Sequence, residues 1–229
     1  MDDIKERLKI VKSQIVDAAK RCGRNPGEIT LVAVSKKKSV ETVLEAIDIG
    51  VNILGENYIQ EAVEKIDAIG QKSTHPVSWH FIGHLQSNKA RVAVKYFDLI
   101  HTVDSLKLAQ EINRQAEKIG KIQNILIQIN ISKEESKSGA EGEEAIRLAE
   151  DISHLKSLSL RGLMGMPPFF DDPEGARPYF RRLAQIRESI IPKICMEHLS
   201  MGMSDDFRVA IEEGATMVRI GTAIFGSRQ

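Results

Sequence analysis

Short runs rich in Ile, Val and Leu alternate with helical patterns from Thr30 onward, and this alternation limits the fold more than any other feature. Eight runs read as strands: Thr30–Ser35, Ile53–Glu56, Trp79–Gly83, Leu99–Val103, Asn124–Asn130, Leu158–Gly165, His198–Gly202 and Met217–Gly221. Helical periodicity fills the gaps at Val40–Ile49, Tyr58–Ile69, Ser87–Tyr96, Ser105–Ile119, Ala140–Ser153, Pro173–Ile190 and Ser204–Glu213, with a short last helix from about Ala223. Strict alternation of this kind argues for a parallel sheet. Runs such as LVAV and ILI are apolar at consecutive positions, which suits strands covered on both faces. Eight such units in roughly 200 residues fit a closed (β/α)8 TIM barrel. An open doubly wound sheet is the competing architecture. The eight strands, and the lack of a G-x-G-x-x-G after the first, favour the barrel. Ahead of them, residues 1–22 read as an amphipathic helix with Ile4, Leu8, Val11, Ile15 and Ala18 on one face. Cys22-Gly23 and Asn25-Pro26-Gly27 end it. No linker-like stretch breaks the chain, so residues 1–229 are expected to form one barrel domain with that helix packed on it.

Composition removes several function classes. Lys+Arg and Asp+Glu both number 32, so the formal net charge is zero. A general nucleic-acid binder is expected to be basic. No stretch approaches the ~18 apolar residues of a membrane span. The opening MDDIKERLKIVKSQIV has no apolar signal core. Cys22 and Cys195 lack any CxxC spacing and read as free thiols, which fits a cytoplasmic protein.

In a barrel of this kind, function gathers at the C-terminal ends of the strands. Lys36 follows strand one. Desolvation and the neighbouring cations Lys37 and Lys38 would make its amine nucleophilic and suited to Schiff-base chemistry. The plainer alternative is a solvated Lys run that opens a helix. Gly221-Thr222 ends strand eight, where exposed N–H groups favour a phosphate. Ser200 on strand seven could add a hydroxyl. A simple turn with a helix cap is the alternative. Arg219 shares a face with Gly221 and needs an acceptor, either a barrel carboxylate or a ligand ring nitrogen. His80, His84 and His198 form no metal or triad spacing and read as neutral core histidines. Glu56 and Asp104 are candidate paired acids, while Asp171, Asp172, Asp205 and Asp206 read as caps and solvated charges. Leu163-Met164-Gly165-Met166 and Ser200-Met201-Gly202-Met203 echo one another, either as core packing or as two strands flooring one pocket.

Five blocks then line up in order. Ala33-Val34-Ser35-Lys36, Gly55-Glu56-Asn57-Tyr58, the run from Trp79 to Lys89, the run from His198 to Asp206, and Val218 to Gly226 resemble the pyridoxal phosphate homeostasis proteins. The resemblance runs from about Leu31 to Arg228. It implies the alanine-racemase-like barrel of fold type III and pyridoxal 5′-phosphate as cofactor. It implies an internal aldimine on Lys36, and a phosphate held by Ser200, Gly221 and Thr222. It sets Arg219 at the pyridine nitrogen, with Asn57 and His84 lining the cofactor. A charged arginine at that nitrogen makes the ring a weaker electron sink.

Racemases of this fold type add a β domain and a partner-subunit tyrosine. Only seven residues follow Thr222, and Tyr58, Tyr96 and Tyr179 include no obvious substitute, so a two-base racemase is not expected. The resemblance thus implies a non-enzymatic holder of the cofactor that maintains vitamin B6 and amino-acid pools and supplies apo-enzymes, as a monomer or weak homodimer. A minimal one-base racemase is the alternative, and an unrelated phosphate-binding barrel enzyme is a third.

Overall fold

The computed structural model describes residues 3–132, 139, 142–190 and 194–226. Residues 1 and 2 of the first expected helix, residues 140 and 141 of the sixth, and the last residues of the resemblance lie outside these.

All eight strands form and close on themselves in sequence order, every neighbouring pair parallel. They are β1 (Thr30–Val34), β2 (Ile53–Glu56), β3 (Ser78–Phe81), β4 (Leu99–Val103), β5 (Gln123–Ile129), β6 (Leu158–Gly165), β7 (His198–Ser200) and β8 (Met217–Ile220). Closure runs through β8 and β1, which pair from Thr30 with Met217 to Ala33 with Ile220. The open-sheet alternative is thereby excluded. Five predicted strand ends, Ser35, Gly83, Asn130, Gly202 and Gly221, lie past the strands at the barrel mouth.

The helices are α1 (Ile4–Arg21), α2 (Val40–Asp48), α3 (Ile59–Lys72), α4 (Ala90–Tyr96), α5 (Leu106–Lys118), α6 (Gly142–Ser153), α7 (Arg177–Ile190), α8 (Phe207–Glu212) and α9 (Thr222–Phe225). Their apolar faces pack on the outside of the barrel in one continuous core. Two of the expected helices begin in a tighter 3-10 turn, at Ser87–Lys89 and Pro173–Ala176. The last unit supplies only the four residues of α9. Helix α1 packs beside it, on α8, α9 and α2. Ile4, Leu8, Val11 and Ile15 make the buried stripe. Arg7 Nε donates to Ile224 O at 2.7 Å, and Arg24 Nη1 to Ile211 O and Ala215 O at 2.8 Å, pinning both ends of the helix.

Inside the barrel the side chains follow the period of two. Leu99, Leu126, Met164 and Met217 form a small apolar layer. Polar groups crown it. His80, His101, Gln128, Ser200 and Arg219 are all buried. Among the described residues no helix is long and apolar enough to cross a membrane.

Candidate cofactor site at the barrel mouth

The turn after β1 is held from several directions. Lys38 N donates to Ser35 O at 3.1 Å, closing a turn over Lys36 and Lys37. Lys37 sits at φ 60°, the left-handed region that a non-glycine residue adopts only when its surroundings impose it. Its backbone N–H donates to Glu61 of α3. Lys65, also on α3, donates to Ser35 O at 2.8 Å, Glu56 Oε1 at 2.6 Å and Glu61 Oε1 at 3.0 Å. Ser35 Oγ donates to the same Glu56 oxygen at 2.7 Å. Burial raises the Glu56 carboxyl above its ordinary range, and Lys65 only partly offsets this. The three lysines of the run therefore part company. Lys37 is exposed. Lys38 reaches Phe225 O at 3.1 Å and Gly226 O at 3.2 Å, tying β1 to the end of α9. Lys36 is half-buried.

Barrel closure brings that turn beside Gly221. A methyl group built on Gly221 would lie 3.4 Å from Val34 O, two residues before Lys36. The backbone N–H groups of Gly221 and Ala223 reach Ser204 Oγ at 3.4 Å each, long for such bonds, so their donors are weakly engaged. Thr222 is exposed at the same corner.

Ser200 lies elsewhere. It pairs with Met217, four residues before Gly221 along β8, and its side chain is wholly buried. Its hydroxyl accepts from Arg219 Nη1 at 2.7 Å and lies 3.0 Å from His101 Nδ1. Sequence reasoning missed Ser204, although it stood four residues further on in the same block. Counting on from the Ser200–Met217 pair puts it level with Gly221, a register that the sequence alone does not display.

Arg219 points into the barrel. Its Nη2 donates to Gly165 O at 3.1 Å, so its acceptors are a hydroxyl and a carbonyl rather than a barrel carboxylate. Burial lowers its pKa to about 10, leaving it charged at neutral pH, with Asp206 as the favourable charge nearby. His80 is a neutral core histidine, as expected, with a pKa pushed down to about 4 by burial. Its partner His101 escaped notice, because a histidine in the all-buried run LIHTV has no spacing signature.

A cavity of about 390 Å³ opens over the β2–β7 side of the mouth. Asn57, Gly83, His84, Met166, Phe169 and Met203 are among its lining residues. The second methionine of each echoed block thus faces one pocket. Asn57 Oδ1 is buried and has no hydrogen-bond partner among the described residues. His84 is 62% exposed, with Nδ1 3.9 Å from Asp104 Oδ2. Glu56 and Asp104 consequently serve different partners and are no acid pair. Asp172 caps the turn before α7, as expected. Phe170 packs on Tyr179 with ring centroids 5.6 Å apart, while Phe169, 80% exposed, overhangs the cavity. Gly83 cannot be larger, since an added Cβ would stand 2.0 Å from Asn57 O. Gly83→Ala is expected to lower stability by about 1–3 kcal/mol and to distort this wall, read as a fall in the denaturant midpoint.

The alanine racemase N-terminal domain family matches residues 8–229. A pyridoxal phosphate homeostasis protein of Escherichia coli K12 is 46% identical over all of this chain and 98% of its own length. One from Aquifex aeolicus is 41% identical over 98% of both chains. The chain belongs to the pyridoxal phosphate homeostasis protein family. PipY of Synechococcus elongatus, solved with PLP bound, superposes with a TM-score of 0.86 at 33% identity, covering 98% of this chain and 100% of PipY. An alanine racemase of Clostridium difficile 630 shares the fold alone, at TM-score 0.71 and 16% identity over 93% of this chain and 56% of its own. Members of the pyridoxal phosphate homeostasis family are thus matched along their whole length, whereas the racemase carries a large further part.

Proposed function

We propose that this protein binds pyridoxal 5′-phosphate at the barrel mouth, as one domain spanning residues 1–229, and holds it as a reserve for vitamin B6 and amino-acid homeostasis. The observation that carries the reading is the closure of β8 on β1. It brings the turn that carries Lys36 beside Gly221, whose backbone N–H, like that of Ala223, is weakly engaged. Lys36 would hold the aldehyde carbon as a Schiff base, with loss of water. Gly221, Thr222 and Ser204 would take the phosphate. Ser200 is reassigned to Arg219, which would lie under the ring nitrogen. Asn57 and His84 would line the open side. The weakly held amides of Gly221 and Ala223 are donors that such a phosphate would engage. Bound there, the cofactor supplies an aldehyde carbon open to amines.

Arg219 cannot release a proton at neutral pH, so the protein offers the ring nitrogen a cation and not an acid. That disfavours deep carbanion chemistry and supports a holder over an amino-acid enzyme. Small amines and apo-enzymes are the recipients this reading requires. The free, exposed thiols of Cys22 and Cys195 accord with a cytoplasmic setting, and the protein would act as a monomer or weak homodimer.

The deciding experiment adds pyridoxal 5′-phosphate, records the visible spectrum, reduces with borohydride and maps the adduct. A yellow band and one adduct on Lys36 support the reading. An adduct scattered over surface lysines overturns it. Ser204→Ala should weaken cofactor binding by about 10- to 100-fold, the worth of one charge-assisted hydrogen bond of about 1.5–3 kcal/mol, measured by titration. No change in affinity would remove Ser204 from the phosphate site.

A further inference from the structure

We infer that His101 and Ser200, backed by His80, are positioning residues that hold the Arg219 guanidinium through a hydrogen-bond chain of fixed direction. The inference deepens the cofactor reading and rests on it only for what Arg219 faces.

The direction follows from donor chemistry. A guanidinium can only donate. Arg219 Nη1 therefore donates to Ser200 Oγ, 2.7 Å away. The hydroxyl proton then needs an acceptor, and His101 Nδ1 stands at 3.0 Å. Nδ1 accepting puts the single proton of a neutral ring on Nε2. That N–H meets His80 Nδ1 at 3.1 Å. His80 in turn carries its proton on Nε2. The reverse orientation would bring His101 Nδ1–H against the hydroxyl and leave the hydroxyl proton with no acceptor in a wholly buried place.

Neutrality of both rings is part of the device. Burial holds His101 well below the ordinary histidine range, and His80, Arg219 and His198 push it the same way. Asp98 opposes this at His80 but does not win. A protonated His101 would set a second cation beside Arg219 and break the chain. With Gly165 O as the second anchor at 3.1 Å, the guanidinium plane is fixed at two points. Its remaining N–H groups are then pre-aimed, which spares the ordering entropy of a long side chain when a ligand arrives.

The test begins on the protein without cofactor. Nitrogen-15 NMR of labelled histidines should show His101 and His80 neutral at pH 7, each with a bare Nδ1 and a protonated Nε2. His101 should stay neutral as the pH falls through the ordinary histidine range. Ser200→Ala should abolish the fixed tautomer of His101, and Ser200→Thr should restore it. With pyridoxal 5′-phosphate bound, Ser200→Ala should make the visible band pH-dependent between about pH 6 and 9, while wild type and Ser200→Thr stay flat. His101→Asn, which keeps an acceptor for Ser200, should resemble wild type, and His101→Leu should resemble Ser200→Ala. A protonated Nδ1 or a charged His101 at pH 7 would overturn the proposal. So would a Ser200→Ala protein with unchanged histidine signals and a flat band. Failure to bind the cofactor at all would sink the functional reading and leave the NMR result standing.

Discussion

Lys36→Ala is expected to lose the visible band and the borohydride-trapped adduct completely, with a change in stability within about 1 kcal/mol. The side chain is half-buried on a loop, so its truncation opens no core cavity. The turn that carries it is set by other groups: Lys38 N on Ser35 O, Lys65 on Ser35 O, and Lys37 N on Glu61. Alanine at position 36 leaves all of these in place. Lys37→Ala should keep the adduct, since that side chain points to solvent. Lys38→Ala should keep it too, while loosening the join between β1 and α9, where Lys38 meets Phe225 O and Gly226 O. The measurement is peptide mapping after reduction, in all three variants. An adduct that survives Lys36→Ala at the wild-type level would refute covalent holding at this lysine. Noncovalent binding at the phosphate corner should persist in Lys36→Ala, since Ser204, Gly221 and Ala223 are untouched.

Much of the fold could be read from pattern alone, because buried parallel strands and amphipathic helices have different periods. Leu158–Gly165 and Leu99–Val103 are found as expected to the residue. Two strand starts miss by one residue, at Ser78 and Gln123, and the other mismatches fall at the mouth. Ser35, Gly83 and Gly202 carry strand-like neighbours, yet they leave the sheet to build the mouth. Sequence names which residues stand at the strand ends but not the level at which each side chain projects. Ser200 and Ser204 both sit in the HLSMGMS block, and only the register against Met217 separates a barrel-interior hydroxyl from a mouth hydroxyl. His101 was hidden for a related reason. A polar residue in an apolar strand reads as an anomaly until its partners from β3, β7 and β8 are seen. Such contacts between distant positions leave no local trace.

Lys65→Met is expected to be the most destabilising single change outside the apolar core, by about 3–5 kcal/mol at pH 7. Lys65 occupies a core position of α3, in line with Ile59, Ala62 and Ile69, and is only 4% exposed. Its ammonium has three protons, and Ser35 O, Glu56 Oε1 and Glu61 Oε1 take all three. Methionine fills similar space but leaves Ser35 O without that donor and Glu56 as an unpaired buried carboxylate, whose Oε2 already has no partner among the described residues. The pH dependence gives the mechanism away. Burial already raises the Glu56 pKa, and losing Lys65 must raise it further. An acid raised in the folded state stabilises the fold below its unfolded pKa and loses that contribution as pH rises through its folded value. The deficit of Lys65→Met relative to wild type should therefore be largest at neutral pH and shrink as the pH falls and Glu56 takes up a proton. Denaturant midpoints at several pH values would measure it. Glu56→Gln added to Lys65→Met should recover part of the loss, with a coupling of about 0.5–3 kcal/mol in a double-mutant cycle. A loss under about 1 kcal/mol, flat with pH, would mean that the pair contributes little and that water satisfies Glu56. Because the same ammonium fixes Ser35 O, one residue before Lys36, the folded fraction of Lys65→Met should also form the Lys36 adduct more slowly. In this barrel the stability of a buried ion cluster and the placement of the reactive lysine depend on the same side chain.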